Sequence, residues 1–236
     1  MAKKTSKRKT LNILDKNKKH SQFDYTEIFR HIRTNIEFST VDKDIKSICI
    51  TSSQANEAKT TLSINLAYIF ATKYNRVLLI DCDLRKNTLH KYMGLSNKHG
   101  LTDALLEYRQ TKKLNVEYFQ SVNDPSFAGT MAVLTSGIHI PNPSELLGSH
   151  VFKDYINELK KSFDFIIIDC TPIGTISDAI PVGNAVDGTI FAISSQDTNK
   201  KDAANCVKLL QRNNVNVLGS VLTKAKSLSG SHYYYY

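Results

Sequence analysis

No stretch of about 18 consecutive apolar residues occurs in this chain of 236 residues, so no helix expected from it crosses a membrane. The longest buried-looking runs, such as Phe165-Ile166-Ile167-Ile168, are strand-sized. The N-terminus offers only Leu11, Ile13 and Leu14 between polar residues, whereas a signal peptide needs an apolar segment of about 7–15 residues. A cytoplasmic location is therefore expected. Cys49, Cys82, Cys170 and Cys206 form no CxxC pair, and the seven histidines show no metal-ligand spacing. Reduced, buried thiols are the expectation. Glycine is scarce as well, and none precedes Gly94.

What is present is ordinary for a single larger globular domain: 41% apolar and 22% charged residues. Collagen, coiled coil and wholesale disorder are excluded. The net charge of +9 is unevenly placed, since residues 1–19 hold eight Lys and Arg against Asp15 alone, which leaves +2 on the remaining 217 residues. The nearly neutral body argues against nucleic-acid binding. The basic segment has too few apolar residues to offset the entropy of ordering it. It reads either as a solvated tail or as one that rests on anionic lipid or an acidic partner.

From Tyr25 onward, helix-like and strand-like segments alternate. Helices are expected over 25–40, 60–74, 143–161, 178–186 and 199–212, and strands over 45–51, 77–80, 132–134, 165–168, 188–193 and 215–222. The 143–161 helix has an apparent start, with Asn142 to cap, Pro143 at the first position and Glu145 to complete a capping box. Apolar strands separated by helices indicate an α/β fold with a mostly parallel central sheet covered on both faces.

In such sheets, ligands bind outside the carboxyl ends of the strands, and the loop after the first strand leads into a helix whose N-terminus attracts phosphate. Here that loop runs from Thr51 to Thr61. Laid on G-x-x-x-x-G-K-[ST], its Lys59-Thr60 fits, while Ser53 and Ala58 stand at the two glycine positions. Two later strands end in Asp81-Cys82-Asp83 and in Asp169-Cys170. Carboxylates there could hold Mg²⁺ beside phosphates.

Ile80-Asp81-Cys82-Asp83-Leu84-Arg85 resembles the Walker A′ motif of the bacterial tyrosine kinases, the P-loop NTPase-fold family that accompanies capsule and exopolysaccharide export, and Phe163 to Asp169 resembles their Walker B. Leu134-Thr135-Ser136-Gly137, Pro141-Asn142-Pro143-Ser144-Glu145-Leu146-Leu147 and Glu27-x-x-Arg30-x-x-Arg33-Thr34-Asn35 resemble that family too, over about residues 22–236. The likeness is greatest to the separate kinase chain of Gram-positive capsule loci, the CapB-like type.

The resemblance implies a basic N-terminal tail at 1–21, a P-loop kinase domain at 22–223 and a tyrosine-rich tail at 224–236. It implies ATP and Mg²⁺ as cofactors, bound along Ser53, Asn56, Ala58, Lys59, Thr60, Thr61 and Thr223. Lys59 would face the β and γ phosphates; Thr60, Asp83 and Asp169 would ligate the metal. Asp81 would position or deprotonate the attacking tyrosine hydroxyl. Tyr233, Tyr234, Tyr235 and Tyr236 would be the acceptors, and Glu27, Arg30 and Arg33 would lie at the subunit boundary of a homo-oligomeric ring. The implied partners are a transmembrane chain-length regulator that activates the chain at the inner face of the membrane, and a cognate tyrosine phosphatase.

The family pattern Pro-Gly-x-Gly-Lys is replaced here by Ala55-Asn56-Glu57-Ala58-Lys59, and Thr223 stands where an Asn is expected to meet adenine. A left-handed backbone at Ala58 would cost about 1–2 kcal/mol, whereas Asn tolerates it better. Two other readings therefore stand beside an autophosphorylating kinase that regulates polysaccharide export. One is a pseudokinase scaffold phosphorylated in trans. The other is a partitioning-type ATPase, a group with a signature lysine where Gln54 stands.

Overall fold

The computed structural model describes residues 25–39 and 44–225. The elements in chain order are α1 (Tyr25–Glu37), β1 (Ser47–Ser52), α2 (Lys59–Ala71), β2 (Arg76–Asp81), α3 (Leu89–Met93), α4 (Leu101–Thr111), β3 (Gln120–Val122), β4 (Thr130–Leu134), α5 (Pro143–Leu147), α6 (His150–Ser162), β5 (Phe165–Asp169), α7 (Ala179–Ala185), β6 (Gly188–Ser194), α8 (Lys200–Arg212) and β7 (Val217–Thr223). They build one seven-stranded sheet in the order β3-β4-β2-β5-β1-β6-β7. Every pairing is parallel except β3 with β4. Parallel strands point one way, so the carboxyl ends of β1, β2, β5, β6 and β7 share one rim of the sheet.

Both faces of the sheet are covered, and β5 shows how one strand serves both. Ile166 and Ile168 pack with Leu101, Phe152, Val182 and Ala203 of the α4, α6, α7 and α8 layer. Phe165 and Ile167 pack with Ile36, Leu66 and Phe70 of the α1 and α2 layer. Alternate residues of a strand point to opposite faces, and an unbroken apolar run is what a strand buried on both faces requires. All four cysteines are free and buried, as expected. No helix among the described residues is long and apolar enough to cross a membrane.

The expected single helix over 143–161 is two helices. Gly148 ends α5, its N–H bonding to Ser144 O at 2.9 Å, and Ser149 restarts the chain as α6 by accepting the Phe152 N–H. The expected capping box of Asn142 with Glu145 is not formed, since the Asn142 side chain makes no cap bond, while Pro143 does stand at the first position of α5. The short elements α3 and β3 carry no periodic signal strong enough to announce them, whereas α4, absent from the expectation, does carry one, with Leu101, Ala104, Leu105 and Tyr108 buried at helical spacing. The α4 start is set by a contact within its first turn, where Asp103 Oδ2 accepts the Gly100 N–H at 2.9 Å.

Glu27, Arg30 and Arg33, expected on one interface face, divide. Glu27 and Arg30 form an exposed ion pair at 2.8 Å. Arg33 turns inward and donates to Ile69 O at 2.8 Å, closing the C-terminal end of α2. The expected N-terminal tail at 1–21 and the acceptors Tyr233, Tyr234, Tyr235 and Tyr236 lie outside the described residues. Lys224, at the start of the expected C-terminal tail, is held by Asp197 at 2.7 Å.

The phenyl ring of Phe165 is fully buried and stacks on Phe70 with ring centroids 3.9 Å apart. Phe165→Ala is expected to cost about 3–5 kcal/mol, read as a lowered urea midpoint at unchanged slope. A loss below about 1 kcal/mol would show that the β5 core collapses around the vacancy.

Candidate functional site

The segment between β1 and α2 is a tight loop whose turn is made by residues other than glycine. Asn56 has φ 65° and Ala58 φ 61°, both in the left-handed region that a Cβ disfavours by about 1–2 kcal/mol. Ala58 stands at the N-cap of α2 without a side-chain cap. The first helical bond runs from Leu62 N–H to Ala58 O, so the amides of residues 59–61 have no partner inside the helix. A helix start open in this way is an anion site. The loop rests on Gly174, where an added Cβ would lie 2.2 Å from Ser53 O.

Opposite the helix start, β2 and β5 end in register, Asp81 beside Asp169. Asp169 is buried and accepts Thr60 Oγ1 at 2.6 Å and Ser63 Oγ at 3.0 Å. Burial pushes its pKa up to about 6, against the opposing effects of the Thr60 bond, the Lys59 charge and the Ser63 bond. The Asp81 carboxyl is also held well above its ordinary value, by burial, by Asp169 and by Asp83. Its Oδ1 accepts the Asp83 N–H at 3.0 Å, and its Oδ2 is buried with no partner. Asp83 Oδ1 accepts the Lys86 N–H at 2.8 Å. Lys59 is 8% exposed, with Nζ 3.5 Å from Gln54 O.

Among the described residues, no three His, Cys, Asp or Glu side chains gather as a metal cluster. Mg²⁺ needs no such cluster, because it takes one or two carboxylates and fills its octahedron with phosphate oxygens and water. The Thr60 hydroxyl against Asp169, with the orphaned Asp81 oxygen nearby, fits that demand.

Of the expected binding residues, Asn56, Ala58, Lys59 and Thr60 form the loop and helix start. Thr61 is exposed on α2, its carbonyl taken by Asn65. Ser53 and Thr223 are committed to the loop's own structure: Ser53 Oγ donates to Glu57 Oε1 at 2.8 Å and Thr223 Oγ1 to Glu57 O at 2.9 Å. The sequence reading missed three features. Ser63 meets the same carboxylate as Thr60, a pairing that helical i, i+3 spacing makes visible. Glu57 is buried inside the loop, and nothing in its local sequence marks it. Arg85 bonds Asp178 at 3.0 Å and Ser144 at 2.9 Å, and Ser144 bonds Asp178 at 2.5 Å; this ties the segment after Asp83 to α5 and to the turn before α7.

Comparison with known proteins gives the family and the fold. Residues 45–218 match the family described as an AAA domain. The chain is 40% identical over 211 residues to tyrosine-protein kinase YwqD of Bacillus subtilis, covering 89% of this chain and 86% of that one. It is 33% identical over 213 residues to tyrosine-protein kinase CpsD of Streptococcus pneumoniae, covering 84% and 83%. Among solved structures, the chimerical protein CapA2B2 superposes with a TM-score of 0.75 at 32% identity, over 89% of this chain and 88% of that one.

Asp81 supplies a test of the site's electrostatics. Its carboxyl keeps its proton to a higher pH in the folded chain than the ordinary 3.8. The native state therefore binds the extra proton, and stability falls as pH rises above that value. Asp81→Asn removes the charge and is expected to raise the unfolding free energy at pH 7 by about 1–3 kcal/mol, with the gain fading toward pH 4. A variant less stable than the native chain at pH 7 would contradict this.

Proposed function

The chain belongs to the bacterial tyrosine-protein kinases built on this AAA domain, and we propose that it transfers the γ-phosphoryl group of ATP to tyrosine hydroxyls, its own Tyr233 to Tyr236 first, in the control of capsular or exopolysaccharide synthesis and export. The observation that carries this reading is the pairing of Thr60 with Asp169 at 2.6 Å, beside the buried Asp81 and below the open start of α2. Phosphoryl transfer is mostly positioning and neutralisation of charge, and these groups supply both.

Lys59 and the free amides of the α2 start bind the phosphates. Thr60, Asp83 and Asp169 would hold Mg²⁺, which when bound neutralises charge developing on the phosphate oxygens. Asp81 orients the attacking phenol and accepts its proton. A phenol of pKa near 10 gives up its proton more readily to a carboxylate whose pKa is raised toward its own, and burial and two neighbouring carboxylates raise that of Asp81.

The relatives are tyrosine-protein kinases by name, which favours this reading over a partitioning-type ATPase. A pseudokinase scaffold keeps one observation in its favour, the alanine at φ 61° where phosphate approaches. The left-handed turn formed without glycine supports the active reading instead, because the backbone direction the chemistry asks for is retained. We further propose a membrane-spanning chain-length regulator as the partner that brings the chain to the membrane and completes the nucleotide site, self-assembly into a ring, and a tyrosine phosphatase that resets the tail.

Purified chain incubated with labelled ATP and Mg²⁺ is expected to label the terminal tyrosines, more strongly when the partner's cytoplasmic tail is added. Lys59→Ala is expected to lower labelling by at least about 100-fold, the usual scale for losing a positioned transition-state charge. Phosphotyrosine mapped by mass spectrometry only to the body would remove the tail assignment. Absence of labelling with partner present, restored by Asn56→Gly with Ala58→Gly, would establish the scaffold reading.

A further inference from the structure

Glu57 lies between the two left-handed residues of the loop and is 1% exposed. A buried carboxylate beside a phosphate site is out of place on charge grounds alone, because it repels the anion the loop would bind. Its bonds explain its presence. Oε1 accepts Ser53 Oγ at 2.8 Å and a close bond from Thr198 Oγ1, and Oε2 accepts the Gln54 N–H at 2.8 Å. Its main-chain oxygen accepts Thr223 Oγ1 at 2.9 Å. One residue thus ties the front of the loop to Thr198, between β6 and α8, and to the last residue of β7.

These bonds close the turn from 53 to 57 through a side chain. Burial alone would push the carboxyl's pKa up, yet the hydrogen bonds from Gln54, Thr198, Ser53 and Ser52 outweigh it and hold the group below its ordinary value. The negative charge is consumed by donors within the loop and at its back.

The two flanking residues give this tie its purpose. Asn56 and Ala58 each carry the Cβ penalty of the left-handed region, and without restraint they relax toward ordinary backbone. That relaxation turns away the amides that would meet phosphate. We infer that Glu57 is a positioning residue that holds a glycine-poor phosphate loop in its binding conformation before nucleotide arrives, coupling it to Thr198 and Thr223 at the neighbouring strand ends. Affinity is gained by avoiding an ordering cost on binding. A loop with glycine at 56 and 58 has less need of the tie, since glycine enters the left-handed region about as readily as the right-handed one.

The inference rests on the reading of residues 53–60 as a phosphate loop, and the test separates the two. ATP with Mg²⁺ is titrated calorimetrically into the full chain, its Lys59→Ala, Glu57→Ala and Glu57→Gln variants, the glycine loop made by Asn56→Gly with Ala58→Gly, and the two Glu57 variants in that glycine loop. Thermal midpoints are recorded throughout. Glu57→Ala is expected to weaken binding by roughly tenfold or more in the native loop and by about threefold or less in the glycine loop. Glu57→Gln, which keeps the shape and part of the bonding, falls between the native chain and Glu57→Ala.

Equal losses in both loops, or no loss in either, would overturn the inference. A native chain and Lys59→Ala that bind alike would overturn the phosphate-loop reading and this inference with it. Loss with Lys59→Ala and none with Glu57→Ala removes the inference alone. Should Glu57→Ala fail to fold, Thr198→Val removes a single donor, and the same contrast between the two loops decides.

Discussion

Asp81 and Asp169 are carried side by side at the ends of adjacent parallel strands, where water cannot screen them, and this forced proximity of two acids governs the rim of the sheet. Two like charges in a medium of low dielectric repel far more than in water. The surroundings answer with donors and positive charge. Thr60 and Ser63 come from the first turns of α2, Lys59 lies one residue before Thr60, and the helix presents its positive end. The pairing of β1 with β5, which sets Ile50 beside Asp169, brings the loop after β1 to the same strand ends. An arrangement this costly in the bare protein persists when a cationic or phosphate-bound ligand is part of the working state.

Much of this was legible. Val77 to Ile80 and Phe165 to Ile168 are uninterrupted apolar runs, each ended by an aspartate, so their strand character and the position of the acids at strand ends follow from the side chains alone. The parallel sheet, its two helical layers and the buried cysteines follow from the same alternation. The long-range contacts did not. Arg85 and Asp178 are 93 positions apart, and nothing local to either predicts the other. Arg33 has the spacing of a surface residue and is drawn inward only because α2 ends next to it. The helix expected through Gly148 failed because a single glycine and a serine able to cap offered a cheaper path than continuing.

The segment after Asp83 shows how distant parts of the fold are recruited to a small task. Arg85 and Ser144 each bond Asp178 and also bond one another, a triangle that joins the segment after Asp83 to α5 and to the turn before α7. Asp83 inherits its position from that triangle at one remove, through two residues of backbone.

Three of the buried thiols, those in or at the ends of sheet strands, have a use unrelated to phosphate chemistry. Cys82 and Cys170 directly follow the paired acids, and burial pushes both thiols well above their ordinary pKa; Cys49, in β1, is pushed up to about 12. A thiol that does not ionise is silent toward alkylating reagents. It becomes reactive when its strand end opens to solvent. The chain thus carries built-in clocks at the ends of β2 and β5 and within β1, and the rate at which each sulfur is captured measures how often that part of the sheet comes apart.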